Sequence, residues 1–167
     1  MGPRAEFFHP VNARKMLVQG PFSAVLLMAS GASGGKLSLV EHPLAPRALG
    51  SPIHTHSHED EYSYILGGQV GAQVGEEVIL AGPGDVIAKP SGIPHAFWNA
   101  GDEPARVLEI IAPGGFEGYF ARLGELLATG QPPDPDKWQA LGVQFGLDFD
   151  AESIPRLAAE HGLRLGG

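Results

Sequence analysis

His54-Thr55-His56-Ser57-His58-Glu59-Asp60-Glu61, running on to Gly67-Gly68, is the stretch that decides how this chain reads. Its companion follows about thirty residues on: Gly84-Asp85-Val86-Ile87-Ala88-Lys89-Pro90-Ser91-Gly92-Ile93-Pro94-His95-Ala96-Phe97-Trp98-Asn99. Together they offer imidazoles and a carboxylate in a number that can hold one divalent metal and still leave positions open for a substrate.

Spacing comes first. Side chains at i and i+2 of a β-strand share a face. His54 and His56 therefore project together if the chain from Ile53 to Ser57 is extended, with Thr55 turned away. Glu61 lies beyond any single straight run with His56, and the polar Ser57-His58-Glu59-Asp60 supplies the turn between them. Glu61, Ser63 and Ile65 then return on one face, with Tyr62, Tyr64 and Leu66 on the other. His95 follows the breaker-rich Pro90-Ser91-Gly92-Ile93-Pro94, which sets how the backbone enters the next strand. His56 and His58 make an alternative same-face pair; the step from Glu61 to Gly68 favours His54 and His56, leaving His58 in an exposed turn. Glu59 and Asp60 read as a solvated acidic corner, either of them able to orient an imidazole from behind.

These residues resemble the cupin superfamily. Its first motif, a His-x-His pair, a glutamate and a later glycine, is matched by His54, His56, Glu61 and Gly68. The glycine that should lead it is replaced by Ala48, with Gly50 close by. The second motif is met in full by Gly84, Pro90, Gly92, His95 and Asn99. The resemblance covers roughly residues 36 to 112. It implies an all-β fold, a double-stranded β-helix or jelly-roll-like antiparallel barrel, with His54, His56, Glu61 and His95 as ligands of one metal inside it. One such scaffold hosts many chemistries, so the resemblance speaks to architecture before reaction.

Composition agrees. The 167 residues suit one domain with a sizeable core, and 24 glycines with 15 prolines suit many short strands joined by turns. A net charge of −8 with no basic stripe excludes nucleic acid as the expected partner, and an anionic membrane surface with it. Without cysteine there is no disulfide and no thiolate ligand. The first residues, Met1 to Glu6, carry no long apolar segment, so no leader is expected and a cytoplasmic location is the default.

Along the chain, residues 1–35 read as N-terminal strands, with Met16-Leu17-Val18 and Ala24 to Met28 separated by Gly20-Pro21. Residues 36–112 read as the barrel core, its strands expected at Lys36 to Leu44, Tyr62 to Leu66, Gln69 to Val74, Glu77 to Leu80, Val86 to Lys89, Ala96 to Asn99 and Arg106 to Ala112. Residues 113–167 read as a short helical extension packed on the barrel. Phe116 to Ala128 has helical spacing, Asp134-Pro135 caps a helix toward Phe145, and a third helix runs from Asp150 to His161-Gly162.

Three imidazoles and one carboxylate suit Fe, Mn, Co, Ni, Cu or Zn as a divalent ion. Alternation places Ser63, Ile65 and Phe97 as the lining of a largely apolar substrate pocket. The function expected from the resemblance is a metal-dependent, dioxygenase-like oxygenase of the small quercetin-dioxygenase-like type. Its substrate would be a small apolar enol or phenol, with Glu61 accepting the substrate proton. The alternatives are a non-catalytic small-molecule or metal-binding module, and a metal-dependent isomerase, decarboxylase or cyclase. The resemblance implies a homodimer, with the N-terminal strands and the Phe116 to Leu127 helix as candidate contact surfaces.

Overall fold

The computed structural model describes residues 8–131 and 133–165; the leader reading of the first residues lies outside them. Two antiparallel sheets face each other. The larger runs β1 (Lys15–Val18), β2 (Ala24–Met28), β3 (Ser38–Leu44), β10 (Ala105–Ala112), β5 (Asp60–Gly67) and β8 (Val86–Lys89). The smaller runs β11 (Leu147–Asp150), β4 (Ile53–His56), β9 (His95–Asn99), β6 (Val70–Val74) and β7 (Glu77–Ala81). From β3 to β11 successive strands alternate between the two sheets, save for the β6–β7 hairpin, the arrangement of a double-stranded β-helix, and the expected barrel is present with its helical extension.

Period-two burial builds it. In β5 the residues Glu61, Ser63 and Ile65 are buried while Tyr62, Tyr64 and Leu66 are exposed. One end of the barrel is filled by Leu44, Ile65, Val70, Ile87 and Val107. The other end is closed by rings of the tail, Phe116, Tyr119 and Phe120, packed on Val40 and Ile111.

The tail holds α1 (Glu117–Leu127), α2 (Pro135–Gln144) and α3 (Ser153–His161). Glu117 anchors α1 by accepting from the Ser30 amide at 2.7 Å and the Gly115 amide at 2.8 Å. Asp134 caps α2, accepting from the Asp136 amide at 2.9 Å, as the Asp-Pro signal predicts. Helix α1 packs closely on β1, where a Cβ at Gly124 would collide with the Leu17 carbonyl. The buried residues of α1, Tyr119, Phe120 and Leu123, pack within their own chain.

The sequence reading missed one strand. β11 follows α2 and pairs antiparallel with β4, Leu147 opposite His56 and Phe149 opposite His54. The third helix correspondingly starts at Ser153 rather than Asp150.

Candidate metal centre

β4 presents His54 and His56 to the interior, as its alternating burial shows. Glu61 follows the turn at the head of β5, and His95 opens β9, its residue paired directly with His54. Each position is local logic; only barrel closure brings the three strands together. One ligand atom from each of His54, His56, Glu61 and His95 lies within 4.8 Å of the others, and all four side chains are buried.

Hydrogen bonds behind the rings set their tautomers. The Nδ1–H of His54 donates to the Pro52 carbonyl at 2.9 Å, and that of His95 to the Ile93 carbonyl at 2.9 Å. His56 Nδ1 donates to Glu59 Oε2 at 3.2 Å. Each Nε2 is left with a lone pair turned inward. Glu59 is thus a buried orienting carboxylate and not the solvated corner expected, whereas His58 is exposed as expected.

The site fits a cation on its own geometry. His95 Nε2 lies 3.3 Å from Glu61 Oε2 and His56 Nε2 lies 3.5 Å from Glu61 Oε1. Given these tautomers, acceptor faces acceptor. His56 Nε2 is buried with no hydrogen-bond partner among the described residues, which is costly unless an electrophile sits there. The nitrogen and oxygen donors suit a borderline divalent transition metal.

Electrostatics push the same way. Burial lowers the pKa of His54, helped by His95 and His56, to well below the usual imidazole range, and burial likewise lowers that of His95 against the raising effect of Glu61. Both rings are neutral, as ligands must be. Burial pushes the Glu61 carboxyl up, but Lys89, His56 and His95 together outweigh it and hold Glu61 well below the usual carboxylate range.

Lys89 is the residue sequence reading passed over. It is 1% exposed, and its Nζ sits 3.1 Å from Glu61 Oε2 and 3.0 Å from Glu109 Oε2. The two carboxylates hold the ammonium above its usual pKa against the pull of burial. Ser63 Oγ donates to Glu109 at 2.8 Å. Burial pushes the Glu109 carboxyl up to about 7, with Lys89 pulling against it. A signal was present: Lys89 and Glu109 both stand in phase with the buried apolar residues of their strands, Ile87, Val107 and Ile111.

Above the ligands opens a cavity of about 270 Å³. Of the three residues expected to line a pocket, Phe97 borders this cavity and Ser63 and Ile65 do not. Both point inward yet lie deeper, Ser63 committed to Glu109 and Ile65 to the apolar barrel end. The walls come from elsewhere: Phe22 before β2, Phe116, Tyr119 and Phe120 around α1, Trp138 of α2 and Phe149 of β11. Phe116 stands edge-on to His56 at 4.5 Å, and Trp138 Nε1 donates to Tyr119 Oη at 2.9 Å, bracing α2 on α1. Gly50, two residues beyond the Ala48 that replaces the motif's leading glycine, sits against the cavity wall: a Cβ at position 50 would lie 2.6 Å from the Phe97 ring.

Asn99, the last motif residue, is structural. Its Nδ2 donates to the Ala45 and Glu103 carbonyls at 3.0 and 2.8 Å and its Oδ1 accepts from the Gly101 amide, stapling three turns.

The comparisons with known proteins agree with this geometry. A family model described as "Cupin domain" matches residues 41–111. The chain is similar to germin-like protein subfamily 2 member 1 of Arabidopsis thaliana, 31% identical over 153 residues, which is 84% of this chain and 67% of that one. Among solved structures it resembles a protein described as a predicted oxalate decarboxylase from Thermotoga maritima, with 23% identity, TM-score 0.54 and coverage of 60% of this chain and 91% of that one. It also resembles KdgF from Halomonas sp., with 19% identity, TM-score 0.57 and coverage of 66% and 98%. At such identities the structural likenesses carry the fold alone.

Proposed function

The chain belongs to the cupin superfamily, and on that premise we propose that it is a metal-dependent enzyme of dioxygenase-like type acting on a small, planar, largely apolar enol or phenol. The observation that carries this reading is the buried His54, His56, Glu61 and His95 cluster at the base of an aromatic-walled cavity. Such a wall suits a ring and, with no lysine or arginine among its described lining residues, offers a multiply charged acid or sugar phosphate little beyond the metal itself.

A metal held by those four residues would supply Lewis-acid activation, lowering the pKa of a substrate hydroxyl. The remaining work falls to the chain itself. Lys89, bonded to Glu61, keeps that carboxylate ionised and therefore a ligand. Glu61 is then a poor proton acceptor, and the expected assignment of that task moves to Glu109. Glu109 lines the cavity, and with its pKa raised to about 7 it can take up or return a proton near neutrality. Phe97, Phe116 and Phe149 exclude water and hold a ring flat above the ligands.

Anaerobic loading with Fe(II), Mn(II), Co(II), Ni(II), Cu(II) or Zn(II), followed by oxygen-consumption assays on enols, catechols and flavonols, tests the proposal. Metal-dependent oxygen uptake supports it. Turnover without oxygen would turn the reading to isomerase, decarboxylase or cyclase chemistry, and binding without turnover to a carrier. For assembly the reading is a homodimer, supported by the outward Tyr62, Tyr64, Leu66 and Val86 on adjacent β5 and β8. A monomeric mass at high protein concentration would overturn that part.

A further inference from the structure

His42 sits in the cavity wall on β3, far in sequence from either motif, and is 2% exposed. Three phenylalanine rings surround it: Phe22 stacked at 4.9 Å, Phe120 edge-on at 5.1 Å and Phe97 at 5.8 Å. The ring's Nδ1–H donates to the Ser23 carbonyl at 3.0 Å, which fixes the tautomer. Nε2 takes no hydrogen bond from any described residue, and it is absent from the side-chain atoms that are both sealed and unpartnered. It therefore opens on space, and the space His42 borders is the cavity.

Most other polar groups there have partners within the protein, Tyr119 Oη accepting from Trp138 Nε1 at 2.9 Å among them. Glu109 is bonded to Ser63 and Lys89, and His54, His56 and Glu61 converge on one another. His42 is separated from them by rings: Phe97 lies between it and Lys89, with the Lys89 Nζ 4.9 Å from the Phe97 centroid. On the opposite wall the contacts run from His56 through Phe116 and Phe120 to His42. The result is a ring acceptor framed by phenylalanine rings in the cavity wall.

We propose that His42 Nε2 is a specificity-determining acceptor for a hydroxyl or N–H group at the end of the substrate remote from the metal ligands. The inference deepens the reading above and rests on it: the substrate is an aromatic or enolic molecule with one oxygen for the metal and a second, donor-bearing group across the ring system. Burial brings the His42 pKa down to about 4, so the ring stays a neutral acceptor at physiological pH. A cavity built around an acceptor discriminates strongly against a ligand without the matching donor, because the acceptor is then buried unpaired.

The test is calorimetric binding to the Zn(II)-loaded protein without oxygen, comparing hydroquinone with phenol and a dihydroxynaphthalene with its naphthol. Apolar burial alone favours the monohydroxy partner of each pair. The inference expects the dihydroxy partner to bind about tenfold more tightly in at least one pair. In His42→Phe the preference should vanish or invert, with zinc content unchanged and naphthol bound at least as tightly as by the unaltered protein, and His42→Gln should restore part of it. An absent preference in the unaltered protein, or one that survives His42→Phe, overturns the inference while leaving the metal-and-phenol reading in place. If none of the phenols binds, that reading of the cavity falls and this inference with it. The comparison in the unaltered protein decides the matter even if His42→Phe does not fold.

Discussion

Residues 41–111 and the tail after residue 113 meet at the same cavity but bring opposite chemistry to it. From the first come the imidazoles, carboxylates and ammonium of His54, His56, Glu61, Lys89, His95 and Glu109, each oriented by a hydrogen bond or ion pair. From the second come rings, Phe116, Tyr119, Phe120, Trp138 and Phe149, placed by packing. The contrast implies that the two regions answer different questions. On the function proposed above, one holds the metal and the other decides what may stand above it.

The sharpest way to break that division is to remove a ligand. His56→Ala or His95→Ala should abolish metal binding, read as metal content by atomic emission, and erase the metal-induced rise in melting temperature; the intact protein should gain about 2.7 kcal/mol at a hundredfold excess over Kd. The aromatic cavity should survive, still quenching Trp138 when naphthol is added. Loss of both together would mean that the regions are one unit.

Lys89→Met should cost about 3–5 kcal/mol in urea unfolding, because Glu61 and Glu109 would be left buried without their shared cation. Should the loss be under 1 kcal/mol, the ion pairs do not hold the barrel interior as described. On the tail side, Phe120→Ala should cost about 3–5 kcal/mol and weaken naphthol binding, yet leave metal content untouched. A metal-depleted Phe120→Ala protein would show that the tail does more than build walls.

The legibility of the two regions differs for a physical reason. Ligands on one strand obey period two, and His95 is announced by the turn that precedes it, so the metal site could be read residue by residue. The barrel strands were legible for the same reason. Cavity walls obey no local period. Phe22, Phe120, Trp138 and Phe149 come from four segments whose meeting depends on the whole fold, and alternation alone nominated Ser63 and Ile65 without regard to depth. β11 is four residues with two apolar side chains, too short to stand out beside the helices that flank it. Lys89 and Glu109 were legible in principle, as charges in phase with buried apolar neighbours.

A smaller effect comes from pH. Below about 6.5 an unfolded imidazole takes up a proton that folded His42, held at about 4, refuses. The unfolded state then binds more protons, so stability falls as pH falls through that window. Between 6.5 and 5, at about 1.4 kcal/mol per pH unit, the loss is about 2 kcal/mol. Glu41, Lys89 and Glu61 act on the same ring, so the comparison is metal-free intact protein against His42→Phe, melted across that range. Equal slopes would refute the assignment. The smallest effect is a null: His58→Ala should leave metal content and stability within about 0.5 kcal/mol of the parent, and an emptied site would mean that His58 is a ligand.

The pairing of β11 with β4 has a consequence for any shortened form of this chain. A polypeptide ending near residue 112 would retain every metal ligand, yet the strand bearing His54 and His56 would become the outermost of its sheet, its amides and carbonyls bare along one side. Bare strands recruit one another. Such a fragment should be a sticky protein that clumps through the ligand strand itself, with the tail revealed as a chaperone carried on the same chain.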